Sequence, residues 1–119
     1  MITIRFLIDT GAGNQATPII SSHCQLSNKL DTNNISYPSS YDALFQISLG
    51  QNLVDFNRSD CQSFANSLDR GIDSLRVDRN SYQSLTLSQQ NLRLPALDFL
   101  TLLRDICRAH PLCTVLFYP

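Results

Sequence analysis

The apolar run Ile4-Arg5-Phe6-Leu7-Ile8 leads directly into a carboxylate and a set of small residues, Asp9-Thr10-Gly11-Ala12-Gly13. A carboxylate where a strand ends and a glycine-bearing turn begins is held by the sheet while its oxygens face whatever docks above. Two chemistries use that placement. Paired aspartates carry out acid/base hydrolysis, and a turn with free backbone N–H groups handles phosphate or a metal-bound group. The spaced glycines of a dinucleotide site and the Gly-Lys-Ser/Thr of a phosphate loop are absent, and Lys29 is the only lysine. Asp and Gly are also the preferred formers of an ordinary turn, with no further role required.

A second constellation lies near the end of the chain. Cys107, His110 and Cys113 are separated by two residues each, His23-Cys24 stands elsewhere, and thiolate with imidazole is the donor set zinc prefers. Paired Cys-x-x-Cys knuckles are missing, however, and Cys61 and Cys107 fall on apolar stripes that must pack. The four cysteines are therefore read as core residues, with no metal and no cofactor expected. A Cys/His nucleophilic pair through Cys24 or Cys107 can be drawn, but any chain with four cysteines and two histidines permits such a drawing. His110 fits a helix C-terminus, where an imidazolium meets the negative end of the dipole.

The segment Phe6-Leu7-Ile8-Asp9-Thr10-Gly11-Ala12 resembles the active-site segment of retroviral-type aspartic proteases, in which two subunits each bring one Asp-Thr-Gly to a shared two-fold axis. The resemblance implies an all-β homodimer in which Asp9 of each chain shares a proton and activates water, because like charges so close do not both ionise easily. It implies that Thr10 and Gly11 shape the turn. Ile47-Ser48-Leu49-Gly50-Gln51-Asn52-Leu53 is similar to that family's second conserved segment, an apolar run ending in glycine. The family also places strands ahead of the aspartate and a glycine-rich flap after it. Here Met1 to Ile8 precede Asp9, and no hairpin of flap composition follows.

The composition narrows the classes. A chain of 119 residues with 43% hydrophobic and 16% charged residues has the proportions of one globular domain with one core. A formal net charge of −1 with scattered arginines leaves no electrostatic footprint for nucleic acid. No run approaches a membrane span, and the first residues lack the form of a signal peptide, so a cytoplasmic location is expected. All ten acidic residues are aspartate, and eight of nine basic residues are arginine. A surface poor in strongly hydrated charge is readier to associate.

The elements that must position these groups follow from periodicity. Ile2, Ile4, Phe6 and Ile8 alternate as a strand does. Residues 13–40, rich in Ser, Asn and Pro, read as irregular, with a short strand over Thr17 to Ser21 and a helical turn near Leu26 to Leu30. Tyr41 to Leu49 fits both periods and is taken as a strand. Ser59 caps a helix over 60–76 whose stripe is Cys61, Phe64, Ala65, Leu68, Ile72 and Leu75. Tyr82 to Leu87 reads as a strand, with Ser88 to Asn91 as its turn. Pro95 opens a second helix carrying Leu97, Phe99, Leu100, Leu103, Ile106 and Cys107, which ends before Pro111. Thr114 to Tyr118 is apolar on both faces, the pattern of a strand covered on both sides.

That order predicts a single α/β domain over 1–119, with a mostly parallel or mixed sheet of about four strands and two main helices. No complete catalytic set is present. The expected function is a small, non-enzymatic interaction or assembly module acting through a protein partner or itself, without nucleic acid or membrane. The alternative is the homodimeric aspartic protease with Asp9, Thr10 and Gly11 as its site.

Overall fold

The alternation at the start of the chain does form a strand, and everything else is arranged against it. The structure, a computed structural model, describes residues 1–8, 35–78 and 80–118. Strand β1 (Ile2–Ile8) lies between β2 (Ile35–Tyr37) and β3 (Cys113–Tyr118). Both pairings are antiparallel, with Ile4 opposite Ile35 on one side and opposite Phe117 on the other. Ile4, Phe6, Ile35, Tyr37, Val115 and Phe117 are buried on one face, while Thr3 and Arg5 point the other way. One face covered and one open is the usual state of an antiparallel sheet.

The expected parallel or mixed sheet of about four strands is therefore corrected to a three-stranded antiparallel sheet with a predominantly helical layer. Two segments read as strands are not strands. Tyr41 ends a 3-10 turn over Ser39–Tyr41, and Asp42–Leu49 is helix α1. Its buried residues, Leu44 and Phe45, sit three and four positions after Tyr41, the spacing of a helix face. Gly50 then closes the helix at φ 76°, a left-handed conformation that glycine adopts without a Cβ clash. Tyr82 likewise ends a 3-10 turn over Asn80–Tyr82, and Leu87–Gln90 is the one-turn helix α3. Thr86 and Gln89 form a capping box there, each side chain bonding the other's backbone N–H.

The two long helices match the periodicity closely. Helix α2 spans Cys61–Val77 and buries Cys61, Phe64, Ala65, Leu68, Gly71, Ile72 and Leu75. Its cap is Asp60 rather than Ser59, because the Asp60 carboxylate accepts the Ser63 N–H at 2.9 Å. Helix α4 spans Arg93–Ala109, with Pro95 in its first turn and Ala96, Leu100, Leu103, Ile106 and Cys107 buried. A Cβ at Gly71 would run into Leu49 Cδ2 and lie 3.3 Å from Leu100 Cδ1, so glycine lets α1 and α4 approach α2 closely.

Aromatic rings fasten these layers to the sheet. Phe64 lies 5.0 Å from Phe56 and 6.0 Å from Phe117, and Tyr37 lies 5.1 Å from Phe99 and 5.5 Å from Phe45. β3 is not an interior strand, as its double apolar face had predicted. Cys113, Val115 and Phe117 face the core, Thr114 and Leu116 are half-buried, and Tyr118 is exposed. The chain at 57–60 covers its outer edge instead. The Arg58 N–H donates to the Val115 carbonyl at 2.8 Å, the Val115 N–H to the Ser59 carbonyl at 2.9 Å, and the Phe117 N–H to Asn57 Oδ1 at 2.9 Å. Satisfied edge groups offer no template for another strand.

Residues 35–37 correct the expectation of an irregular stretch over 13–40, since they form β2. The short strand at Thr17 to Ser21 and the turn near Leu26 to Leu30 lie outside the described residues.

Candidate functional site

Asp9, Thr10 and Gly11 lie outside the described residues, as do His23 and Cys24. The strand leading to them is in place, with Ile8 opposite Cys113 at its last described position. The described residues also form four α-helices, an architecture different from the all-β dimer that the resemblance implies.

The described cysteines gather where α2 begins, α4 ends and β3 starts. Cys61, Cys107 and Cys113 are all buried, free thiols. The hydrogen bond with Cys107 and then burial push the Cys61 thiol far above its ordinary range, and burial raises Cys113, with Cys61 adding to it. Both thiols are thus held neutral, the less nucleophilic form. His110 ends α4 with its N–H donating to the carbonyls of Ile106 and Cys107, and its own carbonyl accepts the Cys113 N–H at 3.1 Å. The Cys107-His110-Cys113 spacing is that of a helix stop and turn. No three His, Cys or Asp side chains among the described residues converge on a point that would hold a metal ion. A cavity of about 400 Å³ lies against this corner, lined by Gln62, Ala65, Asn66, Cys107, Arg108 and Leu112 among others.

The opposite end of the helical layer has a different character. The C-terminus of α2, the short α3 and the N-terminus of α4 meet around Arg93. Its Nη2 donates to the carbonyls of Leu75 at 2.7 Å and Asp78 at 3.1 Å, completing the last turn of α2. Its guanidinium lies 4.5 Å from the centre of the Tyr82 ring, and the Tyr82 hydroxyl is 2.8 Å from Ser74 Oγ. On this fixed base sits an open pocket of about 380 Å³ lined by Leu75, Arg76, Gln90, Arg93 and Leu94. Of its lining, Leu94 is 71% exposed, and Val77 at the end of α2 and Leu87 at the start of α3 are 73% and 74% exposed. Between the two ends, Asp69 of α2 accepts Arg104 at 3.1 Å and also Arg108, so the middle of the α2/α4 face satisfies its own charges.

Sequence reasoning missed this apolar end. By periodicity Leu87 reads as the end of a strand, and Val77 and Leu94 fall off the stripes that define the two helices. The available signal was the capping box at Thr86 and Gln89, which marks Leu87 as the start of a helix with no long stripe of its own. No family model, curated protein or solved structure matches the chain. Among the described residues no helix is long and apolar enough to cross a membrane.

Proposed function

We propose that this chain is a non-enzymatic association module whose working surface is the end formed by α2, α3 and α4. The observation that carries the reading is the exposure of Val77, Leu87 and Leu94 beside an open pocket, on a base held in place by Arg93. Single exposed aliphatic residues are ordinary on a protein surface, but these three stand on elements that meet around Arg93, and association at that end would remove them from water together. Each aliphatic side chain buried would contribute about 1.5–3 kcal/mol before the cost of ordering the partners. The low net charge of −1 offers little long-range repulsion between copies.

Sedimentation of the full chain tests this. The expected result is an oligomer whose population rises with concentration and which Leu94→Ser and Leu87→Ser together convert to monomer without altering the far-ultraviolet circular dichroism. A chain that remains monomeric at every concentration refutes the proposal, as does an oligomer indifferent to both substitutions.

A further inference from the structure

We infer that residues 57–59 form a latch on the outer edge of β3 that opens by itself while the fold stays intact, and that the strained backbone of Arg58 sets how often it opens. The Ser59 N–H donates to the Phe56 carbonyl at 3.0 Å, which closes a four-residue turn. Within it Asn57 has φ −53° and ψ 131°, and Arg58 has φ 70°. A type II turn takes about −60° and 120° at its second residue and about +80° at its third, the place where glycine is preferred because it has no Cβ to clash. Arginine fills that place here, and it is the one non-glycine residue with a positive φ among the described residues. Such a conformation persists only where its surroundings hold it.

What holds it is β3. The Arg58 N–H donates to the Val115 carbonyl at 2.8 Å, the Val115 N–H to the Ser59 carbonyl at 2.9 Å, and the Phe117 N–H to Asn57 Oδ1 at 2.9 Å. No buried side chain of the latch reinforces these bonds, since Asn57 and Arg58 are exposed and Ser59 is half-buried. Firm attachments lie on either side of it. The Phe56 ring packs 5.0 Å from Phe64, and Asp60 caps α2, whose first residue Cys61 is buried. The three residues can therefore swing out between two anchors without disturbing the core. Opening costs the hydrogen bonds just named, which water replaces, and the release of Arg58 from its left-handed conformation offsets part of that cost. Closed, the latch completes the sheet edge. Open, it bares the Val115 N–H and carbonyl and the Phe117 N–H, the alternating groups of an unpaired edge. None of these residues belongs to the association surface proposed above, so the latch stands or falls separately from it.

Hydrogen exchange of the full chain, followed by nuclear magnetic resonance and expressed as protection factors, tests the latch. Alternation along β3 turns the Leu116 N–H toward β1, where Leu116 pairs with Arg5, so this amide is the internal reference. Val115 and Phe117 are expected to be protected at least about tenfold less than Leu116. Their exchange should stay flat in low urea while that of Leu116 quickens, because a local opening exposes little surface. Arg58→Gly removes the strain and should raise the protection of Val115 and Phe117 about fivefold. Arg58→Val places a β-branched residue in the left-handed region and should lower it by about as much. Val115 and Phe117 amides that match Leu116 in both protection and urea dependence overturn the latch, because they then open only with the whole fold. Protection that neither substitution moves overturns the role given to Arg58.

Discussion

Two buried tyrosines should respond in opposite directions to loss of the same atom. Tyr37 and Tyr82 are 0% and 1% exposed. The Tyr82 hydroxyl is 2.8 Å from Ser74 Oγ, whereas the Tyr37 hydroxyl has no hydrogen-bond partner among the described residues. Burial, then the negative charge of Asp42, push Tyr37 ionisation far above the ordinary range, so its hydroxyl stays neutral at every working pH. An unpaired buried hydroxyl costs about 1–3 kcal/mol. Removing it leaves a void no larger than one oxygen, which at about 24 cal/mol per Å³ costs only a few tenths of a kcal/mol. The ring contacts with Phe45 and Phe99 remain. Tyr37→Phe is therefore expected to stabilise the fold by about 1 kcal/mol, and Tyr82→Phe to destabilise it by about 1 kcal/mol through the lost hydrogen bond. Urea unfolding followed by circular dichroism would show the first as a midpoint raised by about 0.5 M at unchanged slope. A Tyr37→Phe chain that is less stable than the parent by more than about 0.5 kcal/mol would refute the reasoning, because it would mean that the hydroxyl is satisfied.

Phe64→Ala should cost about 4 kcal/mol, since a fully buried ring that touches both Phe56 and Phe117 is replaced by a cavity; a loss under about 1 kcal/mol in urea unfolding would contradict the packing. The Ser63 backbone N–H holds the Asp60 carboxyl below its usual range. A lowered folded-state pKa means that the charge stabilises the fold above the unfolded pKa, about 3.9, and that this is lost as pH falls through the folded value. The stability advantage of the parent over Asp60→Asn should accordingly vanish on acidification, and an advantage that persists at pH 2 would exclude this cause. In a Cys24→Ser background, Cys61, Cys107 and Cys113 should react with a thiol reagent only in denaturant, and chelator should leave the melting temperature unchanged. Stoichiometric zinc that is lost on Cys107→Ser or Cys113→Ser would establish a metal site instead.

Local periodicity was enough to reveal both long helices, because a stripe such as Phe64, Leu68, Ile72 and Leu75 is a property of consecutive residues. The same holds for β1 and β3, whose alternation is likewise local. Tyr41 to Leu49 is too short for its apolar residues to distinguish a period of 2 from one of 3.6. Helix prevailed there because Gly50 closes it, Leu44 and Phe45 are buried together on one helix face, and Leu49 fits against α2 where Gly71 makes room. Strand direction was beyond local reading, since β1 pairs with β3 from the far end of the chain and nothing in either strand records its partner. The doubly apolar pattern of β3 was also ambiguous. It is equally consistent with an interior strand and with an edge that a neighbouring segment covers, and the hydrogen bonds from residues 57–60 selected the second. The chemistry suggested by Asp9, Thr10 and Gly11 lies outside the described residues. The Cys107, His110 and Cys113 spacing falls where α4 stops and the chain turns into β3. The surface around Leu94 came only from tertiary structure. A leucine off its helix stripe is exposed or covered according to what the other helices bring beside it, and here they bring Arg76 and a pocket. The sequence alone determined where the chain coils and which face of each coil is apolar, because those depend on neighbours in the chain. Pairing, edge cover and exposed end depend on contacts between residues far apart in sequence, and only the folded arrangement decides them.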